Sequence, residues 1–156
     1  MSKWKRYKVK SGKHRSVLFG YKVFWGKRSL DFYFRTNDSW RWENTSGISK
    51  VYGLSCGMHQ DNSMRLGFRC IDGDMWAYAY SYADGVRRSE KLCRLLSDQE
   101  YFCRISVESG EWVIRLAGIT ARHPFGRLRR FGFRCHPYVG GTYTLGHDWV
   151  VEIREV

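Results

Sequence analysis

The stretch "SMRLGFRCIDGDMWAYAYSY", Ser63 to Tyr82, narrows the fold more than any other part of the chain. Asp72-Gly73 sits between two alternating runs, and a type I′ hairpin turn needs positive φ at both central positions, which Asp-Gly supplies. With that pair at the tip the register follows: Arg69 faces Trp76, Gly67 faces Tyr78 and Arg65 faces Tyr80. Successive side chains alternate across a strand, so Leu66, Phe68, Cys70, Met75, Ala77 and Ala79 share one face, the core face. Arg65, Gly67, Arg69, Trp76, Tyr78 and Tyr80 share the other, where Gly67 is expected to leave a gap opposite Tyr78.

The rest of the chain repeats this grammar. "VLFGYKVFW" alternates with Val17, Phe19, Tyr21, Val23 and Trp25 on one side, and "SLDFYFR" with Leu30, Phe32 and Phe34 on one side. "ISKVYGLSCGM", "RRFGFRCHPY" and "DWVVEIREV" read as further strands, and "TNDSWRWENTSG" as a turn-rich segment in which Trp40 and Trp42 share a face. "RISVESGEWVIRL" reads as a second hairpin about Ser109-Gly110, which sets Arg104 opposite Arg115. Only "SEKLCRLLSDQEY" has helical spacing, as one helical turn or a strand end. Short strands recurring about every 8–12 residues predict an all-β fold, a single-domain antiparallel β-sandwich of the jelly-roll or concanavalin-like kind with at most one short helix. The expected division is a basic, flexible N-terminal arm over 1–15 and the sandwich domain over 16–156.

Charge points to the partner. Lys plus Arg is 27 against 15 acids, a net +12, and 18 of those 27 are Arg. Arginine's planar fork suits phosphate and carboxylate and stacks on rings, so the excess leans towards recognition of an anion. Five cysteines, an odd number with no CxxC pair, read as buried reduced thiols of an intracellular, cytoplasmic protein. The beginning of the chain lacks an apolar signal region and no run is long enough to span a membrane, so no membrane partner is expected.

The candidate ligand-binding set is His59, Asn62, Arg65, Arg69, Trp76, Tyr78, Tyr80, Arg104 and Arg115. The arginines neutralise an anion, the rings contact its flat part, and His59 and Asn62 from the loop "GMHQDNS" give directional hydrogen bonds. The plainer reading has arginine stems covering rings on a solvated face, each cation–π contact adding about 0.5–1 kcal/mol. Facing Arg104 and Arg115 destabilise a sheet unless an acid or an anionic ligand lies between them. A second basic set, Lys3, Lys5, Arg6, Lys8, Arg127, Arg129 and Arg130, suits nucleic acid. No metal cluster, phosphate loop or nucleophile motif is present, and no cofactor is expected. A phosphodiesterase built from His59 with His136 or His147 ranks last.

Three blocks carry a resemblance: His59, Asn62, Ser63, Arg65 and Gly67; the strand Tyr78 to Tyr80; and Pro137, Tyr138, Gly140 and Gly141. Together they resemble a family of small uncharacterised bacteriophage and gut-bacterial β-sandwich proteins, over residues 51–90 and 135–156. Leu145-Gly146 stands where that family has Ala-Pro. The resemblance implies the fold and a phage-type origin, with the host cytoplasm as location. From the Arg and aromatic hairpin face, the facing Arg104 and Arg115 and the bases spread through the strands, the expected function is a non-enzymatic binding protein that captures an anionic, nucleotide-derived small molecule, in the manner of a phage sponge for an immune signal. Nucleic-acid binding is the alternative. A carbohydrate-binding module with Trp40, Trp42 and Trp76 as stacking platforms is the third, favoured only if the glycan is acidic. Homo-oligomerisation is left open.

Overall fold

The computed structural model describes residues 2–16, 21–25, 28–42, 47–141 and 143–156, with 21–25 described by its backbone. Twelve strands follow in chain order: β1 (Lys5–Val9), β2 (Tyr21–Trp25), β3 (Ser29–Arg35), β4 (Ser49–Ser55), β5 (Asn62–Ile71), β6 (Asp74–Ala83), β7 (Val86–Leu95), β8 (Glu100–Glu108), β9 (Glu111–Leu116), β10 (Ile119–Pro124), β11 (Phe131–Cys135) and β12 (Trp149–Glu155). A single 3₁₀ turn, Asp38–Trp40, is the helical element among the described residues. The strands form two six-stranded sheets. Sheet I has the order β1-β12-β3-β8-β9-β10 and sheet II the order β2-β11-β4-β5-β6-β7. All of their strand pairs are antiparallel. The chain thus folds as the expected antiparallel sandwich.

Alternation builds the core. Met64, Leu66, Phe68, Met75, Ala77 and Ala79 of sheet II meet Phe32, Phe34, Ile105, Ile114 and Val151 of sheet I in one buried cluster. Trp40 and Trp149 close one side of it, their rings edge-on at 5.4 Å, with Phe68 at 5.0 Å from Trp40. A buried indole N–H needs an acceptor. Trp40 Nε1 donates to the Val150 carbonyl at 2.9 Å, and Trp112 Nε1 to Asn62 Oδ1 at 2.7 Å.

Both expected hairpins form in the expected register, with Arg65 opposite Tyr80 and Arg104 opposite Arg115. Asp72 and Gly73 take φ of 50° and 81°, and Ser109 and Gly110 take 50° and 75°. Asp84-Gly85 and Ala117-Gly118 use the same pair of left-handed residues to make two more hairpins, β6–β7 and β9–β10.

Some expectations are corrected. Lys5–Val9, placed in a flexible arm, is an edge strand paired with β12, and Val9 is buried. "SEKLCRLLSDQEY" is the end of β7, a turn and the start of β8, because Leu92 and Leu95 pack as strand residues at the sandwich edge. The gap over Gly67 is filled: a Cβ there would lie 2.6 Å from Ile48 Cγ2 and 3.2 Å from Tyr78 Cβ. Trp40 lies in the core, and Trp42 packs on Phe68 at 4.7 Å and Trp149 at 5.6 Å, so neither is a surface platform. Val17 and Phe19 of the first alternating run lie outside the described residues, as do 43–46. All five cysteines are free, and Cys93 is the one not fully buried. Among the described residues no helix is long and apolar enough to cross a membrane.

Candidate functional site

The outer face of sheet II is laid out in rows that the register dictates. One row runs Cys135, Gly53, Arg65, Tyr80, Ser89; the next runs Lys50, Gly67, Tyr78, Lys91; a third runs Ser55, Ser63, Tyr82, Arg87. Gly53 makes the first row possible. A Cβ there would fall 2.5 Å from the Met64 carbonyl oxygen and 2.7 Å from Arg65 Cγ, so only glycine lets the Arg65 stem lie across β4.

A strap from the far end of the chain completes the site. Tyr138 pairs with Lys50 through Lys50 N–H to Tyr138 O at 2.8 Å and Tyr138 N–H to Lys50 O at 2.9 Å, and bridges Arg15 on its other side. His14 is held beside it: Nδ1 meets the Val139 carbonyl at 2.8 Å and the ring stacks on Tyr138 at 5.4 Å. Gly140 lets the strap approach β4, since a Cβ would fall 2.1 Å from the Ile48 carbonyl oxygen.

The result is a cleft of about 370 Å³ walled by Arg15, Lys50, His59, Gln60, Arg65, Tyr80, Tyr82, Tyr138 and Gly141. Its size suits a small ligand or one segment of a larger one. Lys50 Nζ sits 4.4 Å from the Tyr80 ring centroid and 5.7 Å from that of Tyr138. Burial, then the Arg65 and Arg87 charges, pull the Lys50 ammonium down to about 8. Burial and the charges of Arg65, Arg15 and Lys50 pull the His59 imidazole down to about 4, against a small opposing effect of Asp61. His59 is therefore a neutral base at neutral pH. Burial and the neighbouring Tyr82 raise the Tyr80 hydroxyl, so it stays protonated. Among the described residues no Asp or Glu lines the cleft.

Of the expected ligand set, the structure gathers His59, Arg65 and Tyr80 into this cleft. It sends the others elsewhere. Asn62 points inward, where Oδ1 accepts from Trp112 Nε1 and from Gly126 N–H at 3.0 Å while Nδ2 donates to the Arg127 carbonyl at 3.2 Å. Tyr78 stands one row over, between Gly67 and Lys91, and does not wall the cleft. Arg69 and Trp76 form their own row towards the hairpin tip, with Lys91 Nζ 4.5 Å from the Trp76 ring. Arg104 and Arg115 lie on sheet I. Each has its own carboxylate: Asp31 takes Arg104 at 2.9 and 2.6 Å, and Glu108 takes Arg115 at 2.5 and 2.8 Å. Acids, not a ligand, resolve that facing pair.

Of the nucleic-acid set, Lys8 lines a second cleft and ion-pairs with Asp148 at 3.7 Å, while Lys3, Lys5 and Arg6 stand exposed at the edge of sheet I. Arg127, Arg129 and Arg130 occupy the loop before β11, anchored by Arg127 N–H to Asp84 Oδ1 at 3.1 Å and by Arg129 N–H to Cys56 Sγ at 3.2 Å. Sequence reasoning missed Arg15, Lys50, Gln60, Tyr82 and Tyr138. The Gly140-Gly141 pair, legible as a close backbone approach, was the available signal.

Two other groupings bring histidine beside polar partners. Ser81 Oγ lies 2.6 Å from His123 Nδ1, whose Nε2 lies 3.0 Å from Glu90. Ser81 and His123 are buried, so this line of three ties β6, β7 and β10 together and offers no reachable nucleophile. His147 Nε2 is held by the Ser39 carbonyl at 3.0 Å, and His136 stacks between Tyr7 and Tyr52, so neither joins His59. Among the described residues no group of three or more His, Cys, Asp and Glu could hold a metal ion.

No family model matches this chain, and no curated protein is similar to it. Solved structures are. The marine PL7 alginate lyase from Zobellia galactanivorans superposes with a TM-score of 0.63 at 14% identity, over 96% of this chain and 74% of that one. The alginate lyase from Alteromonas sp. 272 gives 0.57 at 10% identity, over 96% and 75%. A protein of unknown function from Saccharomyces cerevisiae gives 0.59 at 8% identity, over 99% and 92%. The expectation of a non-enzymatic nucleotide sponge is corrected here. The fold is shared with proteins named as alginate lyases, and much of the arginine and aromatic set behind that expectation lies outside the cleft. At these identities the likeness is one of fold: the chain is a jelly-roll β-sandwich.

Proposed function

We propose that the protein binds an acidic polysaccharide of the uronate type in the first cleft and cleaves it by β-elimination. The observation that carries this reading is the convergence of three cations with a deprotonated imidazole in a cleft lined, among the described residues, by no acid. Elimination from a uronate needs those parts. Cations around the carboxylate draw off its charge and acidify the neighbouring C–H. A neutral base then takes that proton, the released electron pair becomes a C=C bond, and the glycosidic C–O bond breaks as an acid protonates the departing oxygen. Arg65, Lys50 and Arg15 hold the carboxylate, His59 is the base, and Tyr80, kept protonated, is the acid. The fold shared with alginate lyases supports the substrate class, and an acidic glycan accounts for the cations that a neutral sugar does not need.

The test is incubation with a panel of polyuronates, following the ultraviolet absorbance of the new conjugated double bond. His59→Gln should keep binding and lose that absorbance. Binding without any new absorbance would leave the substrate class and remove the elimination. No binding to any polyuronate would remove both.

A further inference from the structure

The first cleft does not end at Tyr138. On the other side of that ring a second cleft of about 680 Å³ is walled by Lys8, Lys10, Lys13, His14, Arg15, Ser16 and Tyr138. Arg15 and Tyr138 belong to both, so the two are neighbouring rooms with one shared wall. Among the described residues no carboxylate lines it, although Asp148 pairs with Lys8 at 3.7 Å and also feels the Lys10 charge. Lys10 and Lys13 are exposed, and their backbones close a tight turn, Lys13 N–H to Lys10 O at 3.0 Å. The stacked His14–Tyr138 pair gives a flat surface between the cations.

This second room holds no free acid–base pair. His14 Nδ1 is committed to the Val139 carbonyl, and the remaining groups are ammonium, guanidinium, hydroxyl and phenol. Its chemistry is that of holding. A polymer that repeats one carboxylate per sugar presents charges in series, and a file of cations running from Lys50 through Arg15 to Lys10 and Lys13 matches a series better than a single anion.

We infer that the Lys10–Lys13 cleft holds further sugar units of the same acidic chain whose reacting unit lies at His59, so that the protein recognises an internal stretch of polymer rather than a single residue. This rests on the acidic-polysaccharide reading above. Binding made away from the reacting unit is available to orient it, so longer chains should also turn over better.

The experiment is a length ladder. Oligouronates from dimer to octamer are titrated calorimetrically into the protein and into Lys10→Ala/Lys13→Ala, at low and at physiological salt. The wild-type affinity should climb about tenfold or more along the ladder, equivalent to about 1.4 kcal/mol. The climb should shrink as salt screens the exposed lysines. The double variant should match the wild type on the dimer and lose most of the climb. A ladder that is flat in the wild type, or that survives intact in the double variant, overturns this inference and leaves the first cleft untouched. Silence at every length removes the parent reading and this one with it. A ladder obtained with single-stranded oligonucleotides and not with oligouronates assigns both clefts to nucleic acid and overturns it as well.

Discussion

Sheet I and the cleft of sheet II surround their cations differently. On sheet I each arginine meets an acid: Arg104 lies in register with Asp31, Arg35 with Glu100, and Arg115 is clasped by Glu108. At the cleft of sheet II the cross-strand neighbours of the cations are Gly53 and Tyr80 for Arg65, Gly67 for Lys50, and Tyr82 for Arg87, while elsewhere on that sheet Arg94 pairs with Asp74 and Arg134 with Glu155, both at 2.8 Å. The sheet I pairs are electrostatically closed, whereas the cleft, with no acid among its described lining residues, suits a guest that brings negative charge. A count of basic residues therefore says little about where an anion binds. The residue across the ladder from each of them says much more.

Breaking the cleft should have the largest effect. Arg65→Ala should weaken polyuronate binding about 30-fold or more, since truncating a desolvated charged partner costs about 2–5 kcal/mol. Arg65→Lys should recover part of it, and thermal melting of both variants separates lost binding from lost fold. Unchanged affinity in a folded Arg65→Ala protein would place the ligand elsewhere.

Next comes pH. The charged form of Lys50 holds the anion, so affinity should be full below about 8 and fall as pH rises through it. Lys50→Met should flatten that limb. The base form of His59 exists above about 4, so kcat/KM should hold steady from neutral pH down towards 4, where an ordinary imidazole of pKa about 6.5 would already have failed.

The closed pairs should respond least. Arg104→Ala and Arg115→Ala should leave polyuronate affinity unchanged by calorimetry, as should Trp76→Ala on sheet II outside the cleft, and a loss in any of them would return that residue to the site. Arg115, then Ser106, hold the Glu108 carboxyl down to about 2. Because its folded value lies below the ordinary carboxylate range, that pair supports the fold above the unfolded value and is lost as pH falls through about 2. A carboxyl NMR titration reads this directly.

Local chemistry was legible and distant chemistry was not. The β5–β6 hairpin and its register follow from Asp72-Gly73 and alternation alone, and they yield Arg65 and Tyr80. β1 and β7 escaped because these edge strands are exposed on both faces over much of their length: "KRYKV" and "VRRSEKLCRL" carry too many charges for period two to stand out. Asp84-Gly85 repeats the Asp-Gly signal and would have located β7. Lys50 was hidden by the irregularity between Lys50 and Tyr52, which breaks the alternation of β4. Arg15 and Tyr138 sit 123 positions apart in the sequence, and only the pairing of the assembled sandwich makes them neighbours. The two hairpin arginine sets looked equivalent because the acids that separate them, Asp31 above all, lie on a strand that no local rule places beside β8.

That long-range bridge has a kinetic corollary. The ribbon from β4 to β7 can pair as it leaves the ribosome, whereas the Tyr138 strap must await most of the polypeptide, and pairings so remote in sequence are slow to find one another. Ligand capture is thus a property acquired at the close of maturation, and regaining it after dilution from denaturant should lag behind the return of β-sheet dichroism.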